Sequence, residues 1–141
     1  MLEIGFTGTR RHPTEAQIVA LEEWMRMRML LGPTTLHHGD CVGADEVAHD
    51  IAYLLEWSIV VHPPRDAAWR AWCDGDQILP EQEYRERNQA IVDVADVLVA
   101  APHQDQEVLR SGTWMTVRMA RRAGVPVVVI YPDGTIERQE N

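Results

Sequence analysis

Four short segments of the sequence combine residue types and spacings that could hold a phosphate or a sugar. Thr7, Gly8, Thr9 and Arg10 offer a glycine that permits close backbone approach, two hydroxyls and a guanidinium fork. A tight turn with a solvent-facing arginine would use the same residues. Gly39, Asp40, Gly43 and Asp45 form the second segment, "GDCVGAD", in which Asp45 either complements a helix dipole or reads ribose hydroxyls. "YRERN" places Tyr84 and Asn88 four residues apart on one helix face, with Arg87 on the neighbouring face. Arg110, Ser111, Gly112 and Thr113 precede a helix, where amides at the positive end and two hydroxyls make an anion site or a simple N-cap. The acids within reach of such a site are Asp40, Asp45, Glu83 and Glu86. His37, His38 and Cys41 are metal-ligand types, but adjacent strand residues point to opposite faces, and no metal site is expected.

The elements around these segments alternate between strand-like and helical patterns. Strands are expected at "LEIGFT", "TTLHH", "SIVVHPP", "DVLVAAP" and "VPVVVIY". Between the first two, Thr14 and Gln17 have capping-box spacing, and Ile18, Leu21, Met25 and Met29 form an apolar stripe. Further helices follow "GDCVGAD", span "EQEYRERNQAIVDVA" and run from Ser111 to Gly124. This order predicts an α/β fold: an open, mainly parallel five-stranded sheet with helices on both faces. Ligands of such sheets bind beyond the carboxyl ends of the strands, which favours the turns after strands one, two and four, the last beginning at Pro102. From Arg65 to Pro80 the pattern weakens around Trp69 and Trp72, which predicts a lid or an irregular flap.

The totals narrow the function classes. With 141 residues and 45% hydrophobic composition, one domain is expected, over residues 1–131, with 132–141 as a tail or small hairpin. No apolar run is long enough for a membrane span and no signal peptide is read, so a cytoplasmic protein without a membrane partner is expected. The net charge of −9 argues against tracking long nucleic acid. All 13 basic residues are arginine, which excludes a lysine Schiff base and a P-loop lysine. The only cysteines, Cys41 and Cys73, are expected to be reduced thiols.

Taken in order, "GFTGTRR", "HGDCVGAD", "YRERN", "ADVLVAAP" and "RSGTWMTVRMA" followed by "GVPVVVI" resemble the SLOG superfamily of Rossmann-like nucleotide-binding domains. That superfamily includes the YspA- and YpsA-like proteins, the lonely-guy phosphoribohydrolases and the DNA-processing protein A family. The resemblance implies a Rossmann-like sheet, a pocket for a nucleotide or ADP-ribose-like ligand, and a homo-oligomer; no cofactor is expected. It also implies that Arg87 matches an arginine used by lonely-guy enzymes to cleave a base from ribose monophosphate. Their catalytic glutamate is replaced here by Thr116, which cannot act as a carboxylate acid or base, and Arg110 and Ser111 stand where glycines are expected. A ligand-binding sensor or sequestering protein is therefore the leading expectation. The alternatives are a nucleotide N-glycosidase using another acid, and a single-strand nucleic-acid module stacking bases on Trp69 and Trp72.

Overall fold

The computed structural model describes residues 1–140 of the chain. Strand β1 (Leu2–Gly8) alternates its side chains across the sheet. Ile4 and Phe6 enter a core shared with Leu36, Ile59 and Val61, covered by helices α1 (Glu15–Met29) and α2 (Ala44–Leu54). On the opposite face Gly5 lies against Ile91 and Ala95, beneath α3 (Tyr84–Val94). There Leu98, Val127 and Val129 pack with Trp114 and Val117 of α4 (Gly112–Ala123). Both faces are thus covered, which is why the inner strands read as nearly continuous apolar runs.

The remaining strands are β2 (Thr34–His38), β3 (Ser58–Val61), β4 (Gln77–Ile78), β5 (Val97–Ala101), β6 (Val127–Ile130) and β7 (Ile136–Gln139). Their order across the sheet is β4-β3-β2-β1-β5-β6-β7, with every pair parallel except β6 and β7. Among the described residues the sheet therefore has seven strands and not the expected five. β4 escapes sequence reading because it is two exposed residues inside an irregular stretch, paired only with β3. β7 escapes because its residues are mostly polar; a turn with Gly134 at φ +88° folds it back on β6, and the Gly134 amide donates to the Tyr131 carbonyl at 2.8 Å.

The capping box at α1 is formed: Thr14 Oγ1 accepts from the Gln17 amide at 3.0 Å, and Gln17 Oε1 accepts from the Thr14 amide. The same buried Gln17 side chain donates to the Pro102 and Ile130 carbonyls at 2.9 and 2.8 Å. It thereby ties α1 to the ends of β5 and β6. The buried stripe is Gln17, Ala20, Leu21, Trp24 and Met25; Ile18 is only half-buried and Met29 is exposed, so the helix is rotated from the expected face. Chain order reverses between β1 and β5, since β1 leads to β2 on one side and α3 leads to β5 on the other. That switch point positions the site.

Candidate functional site

A cavity of about 440 Å³ lies at the carboxyl ends of β1 and β5, between the first turns of α2 and α4. The turn after β1 is fixed by backbone bonds: the Thr9 amide donates to Ala101 and the Ala44 amide to the Thr9 carbonyl, both at 2.9 Å. Gly8 is required here, because a Cβ would collide with the Cβ of Ala44. Gly8→Ala is expected to cost about 1–3 kcal/mol through forced separation of β1 and α2. Urea unfolding of the two proteins measures it; equal midpoints would overturn this packing account.

Of the expected binding residues, Thr7, Gly8, Thr9, Arg10, Gly39, Asp45, Tyr84, Arg87, Asn88, Arg110, Ser111, Gly112 and Thr113 line this one cavity. Asp40, Gly43, Pro102, Glu83 and Glu86 do not. Asp40 is fully buried and serves the flap, accepting from Arg70 Nε and from the Cys73 amide at 2.8 Å each. Gly43 is the N-cap of α2 at φ +92°, pressed against the Thr9 and Arg10 carbonyls. Pro102 spends its carbonyl on Gln17. Glu83 and Glu86 are exposed, and Glu83 pairs with Arg65 at 2.8 Å. Sequence reading missed Phe6, Arg11, Cys41, Ile91, His103, Gln104 and Met115 as lining residues. Arg11 and Cys41 sit inside quoted segments; His103 and Gln104 carry no local signal.

At α4, Ser111 is an extended N-cap whose Oγ accepts from the Trp114 amide at 3.2 Å. Among the described residues, the Gly112 and Thr113 amides have no protein acceptor and stand at the positive end of the helix. A Cβ on Gly112 would meet nothing within 4 Å, so this glycine faces open space. Thr116, at the position of the expected glutamate, is fully buried and donates to the Gly112 carbonyl at 2.9 Å.

Arg87 is buried, and most of its guanidinium is committed to the protein. Nη1 donates to the Gly39 and His62 carbonyls, Nε donates to Asn88 Oδ1 at 2.7 Å, and Nη2 lies 3.9 Å from Cys41 Sγ. Gly39 has no Cβ because the guanidinium occupies that space. Arg87 consequently shapes the cavity wall more than it reaches into it. Arg10 is stacked between two rings, 5.5 Å from the Trp69 centroid and 5.0 Å from that of Tyr84. Trp72 likewise stacks on Arg70 at 3.8 Å, so both flap tryptophans already hold a cation. Among the described residues, no carboxylate lies within 4.0 Å of Arg10, Arg11, Arg87 or Arg110, whereas Arg65, Arg70 and Arg118 elsewhere are ion-paired.

Asp45 is the one candidate acid in the cavity wall. It does not cap α2; its Oδ2 accepts from the Cys41 amide at 3.2 Å, the Gly39 amide also acts on the carboxylate, and among the described residues Oδ1 has no partner in good hydrogen-bond geometry. Burial raises its pKa to about 6, against the lowering effect of Arg87. Burial, helped by Asp45, also raises the Cys41 thiol.

His37 and His38 point to opposite faces, as the strand period requires. His37 meets His62 at 2.9 Å, and His38 meets His49 at 3.0 Å. The donor atoms of His38, His49 and Cys73 lie within 4.8 Å of one another. However, the Asp40 amide donates to His38 Nδ1 at 3.0 Å, which puts the ring proton on Nε2. That tautomer offers no Nε2 lone pair to a metal.

No protein-family model and no curated protein matches the sequence. Similar solved structures include a molybdenum cofactor binding protein from the phototrophic bacterium Rippkaea orientalis, with TM-score 0.72, 21% identity and coverage of 92% of this chain and 76% of that one. The molybdenum cofactor carrier protein of Chlamydomonas reinhardtii gives 0.67 and 22%, covering 91% and 75%. The single-stranded-DNA-binding DNA processing protein A from Helicobacter pylori gives 0.64 and 19%, covering 91% of this chain and 64% of its own. This chain shares the Rossmann-like fold of these proteins, the fold that its resemblance to the SLOG superfamily implies. Identities this low describe a shared backbone, and that fold carries different ligands in these neighbours. The side chains of the cavity must therefore carry the functional argument. No helix among the described residues is long and apolar enough to cross a membrane.

Proposed function

We propose that this protein binds a small anionic ligand of nucleotide type in the cavity at the β1/β5 switch point, as a sensor or sequestering protein. The observation that carries this reading is the concentration of four arginines without carboxylate partners around one cavity, in a chain of net charge −9. Unpaired cations in an acidic protein make a local anion trap. The phosphate lies at the α4 N-terminus, between the Gly112 and Thr113 amides and Arg110, with Arg10 and Arg11 on the facing turn. Arg87 and Asn88 hold the wall behind it.

The test is Gly112→Asp. The new side chain meets open space, so the fold is unaffected, but a carboxylate now occupies the anion's place. Binding of nucleoside monophosphates or ADP-ribose, read by native mass spectrometry or calorimetry, is expected to fall about 10- to 100-fold. Unchanged affinity would remove the phosphate from α4.

Asp45 favours a second reading, hydrolysis of the base–ribose bond, because it is an acid in the cavity whose proton affinity suits acid–base work near neutral pH. Free base released by wild type and lost in Asp45→Asn would support that reading. Intact ligand recovered from wild type would support binding alone.

A further inference from the structure

Nine buried side-chain polar atoms among the described residues have no hydrogen-bond partner, and three of them belong to residues lining the same cavity. They are Asp45 Oδ1, the Tyr84 hydroxyl and Gln104 Oε1. They come from three separate elements: the first turn of α2, the start of α3 and the loop after β5. Two of the three atoms can only accept, and the third can accept. Leaving such atoms unpaired is costly, most of all for a carboxylate oxygen. These three acceptors are therefore short of donors, and they stand among the cations, since the Tyr84 ring stacks on Arg10 and Arg87.

The cavity thus carries two kinds of polar group side by side. One kind is the guanidinium groups and free amides that suit an anion. The other is the unpaired acceptors, with Asp45 the most buried, at 5% exposure. Its Oδ2 is held by the Cys41 amide, and Oδ1 is closed off from bulk water. The torsion of a carboxylate about Cβ–Cγ is broad, so the group can turn to share its oxygens between the Cys41 amide and a donor that enters the cavity. An amino cation would be repelled by Arg87 and the other arginines, which leaves neutral donors. The hydroxyls of a sugar are neutral donors held a few ångströms from a phosphate.

We infer that Asp45 is a specificity-determining residue that accepts a hydrogen bond from the sugar hydroxyls of a ribose phosphate, so that the cavity distinguishes ribose from deoxyribose ligands. This rests on the phosphate assignment made above. Asp45 reads the hydroxyl next to the anomeric carbon, while Tyr84 and Gln104 complete the set of acceptors.

The experiment is an NMR titration of isotope-labelled protein with three probes: ribose 5-phosphate, 2-deoxyribose 5-phosphate and inorganic phosphate. Wild type is expected to bind ribose 5-phosphate about 10- to 100-fold more tightly than the deoxy sugar. Asp45→Asn is expected to level the two sugars while inorganic phosphate binds within about threefold of wild type, since the charge-assisted bond alone is removed. Equal binding of both sugars to wild type, or a ribose preference that persists in Asp45→Asn, overturns the inference. Failure of ribose 5-phosphate to bind at all overturns it too. The wild-type comparison decides even if the variant does not fold. Shifts at Gly112 and Thr113 with inorganic phosphate report the phosphate assignment separately, so the two ideas fail distinguishably.

Discussion

Asp40→Ala is expected to destabilise the protein by about 2–4 kcal/mol, because a buried arginine loses its buried partner and keeps only the half-exposed Glu81, 2.9 Å from Nη1. Asp40 is completely buried, and the Arg70 side chain that it binds is 9% exposed. Its two carboxylate oxygens hold Arg70 Nε and the Cys73 amide, while its carbonyl accepts from the Ala71 amide at 2.8 Å. Three contacts from one residue thus fasten the segment after β3 to the turn after β2. Asp40 also has φ +58°, a conformation that alanine tolerates less well than aspartate or asparagine. Asp40→Asn retains that tolerance and an acceptor and should lose less. Urea unfolding of Asp40→Ala, Arg70→Ala and the double variant measures the coupling; strict additivity would show that the pair contributes nothing together. Trp69 should also leave Arg10 in Asp40→Ala, which a change in tryptophan emission reports.

Stability is expected to fall steeply as pH drops from 7 to 4. Burial lowers the pKa of His38 to about 3, and burial together with His37 and Arg87 lowers that of His62 to about 4. Both folded values lie below the ordinary histidine value near 6.5, so in that window the unfolded chain takes up protons first. The stability these rings contribute is present above about pH 6.5 and drains away on acidification. Asp45 acts in the opposite sense. Its folded pKa of about 6 exceeds the unfolded value, so its contribution is greatest below about pH 4 and is lost as pH rises toward 6. Two rings outweigh one carboxylate, and the net loss between pH 7 and 4 is about 3–4 kcal/mol. Urea midpoints across that range test it. His38→Asn, which keeps an acceptor for the Asp40 amide, should remove most of that loss, about 3 kcal/mol, because Asp45 nearly offsets the remaining ring; an unchanged slope would show that His38 does not cause it.

Much of the architecture was legible because its causes are local. The capping box at Thr14 and Gln17, the apolar runs of β1, β5 and β6, and the glycine that ends α4 at φ +75° all act within a few residues. The opposite facing of His37 and His38 followed from strand geometry alone. Partners far along the chain were not legible. Asp40 looked like a ligand residue in a glycine-rich turn, and only its bonds to residues 30 and 33 positions away show that it clasps the flap. Arg87 lines the cavity, yet its use on the Gly39 and His62 carbonyls depends on three elements meeting. β4 exists through its pairing with β3, not through any pattern of its own.

The two margins of the sheet bear on how copies of this chain can meet. On one side the last strand is two residues long; on the other it is a mostly exposed "IERQ" with charges of both signs. Such short or charged borders deny a neighbouring chain the row of free amides and carbonyls it would need for ladder extension. Any assembly of these molecules is left to helix faces and loops, and fibrous growth by strand addition is blocked at both ends.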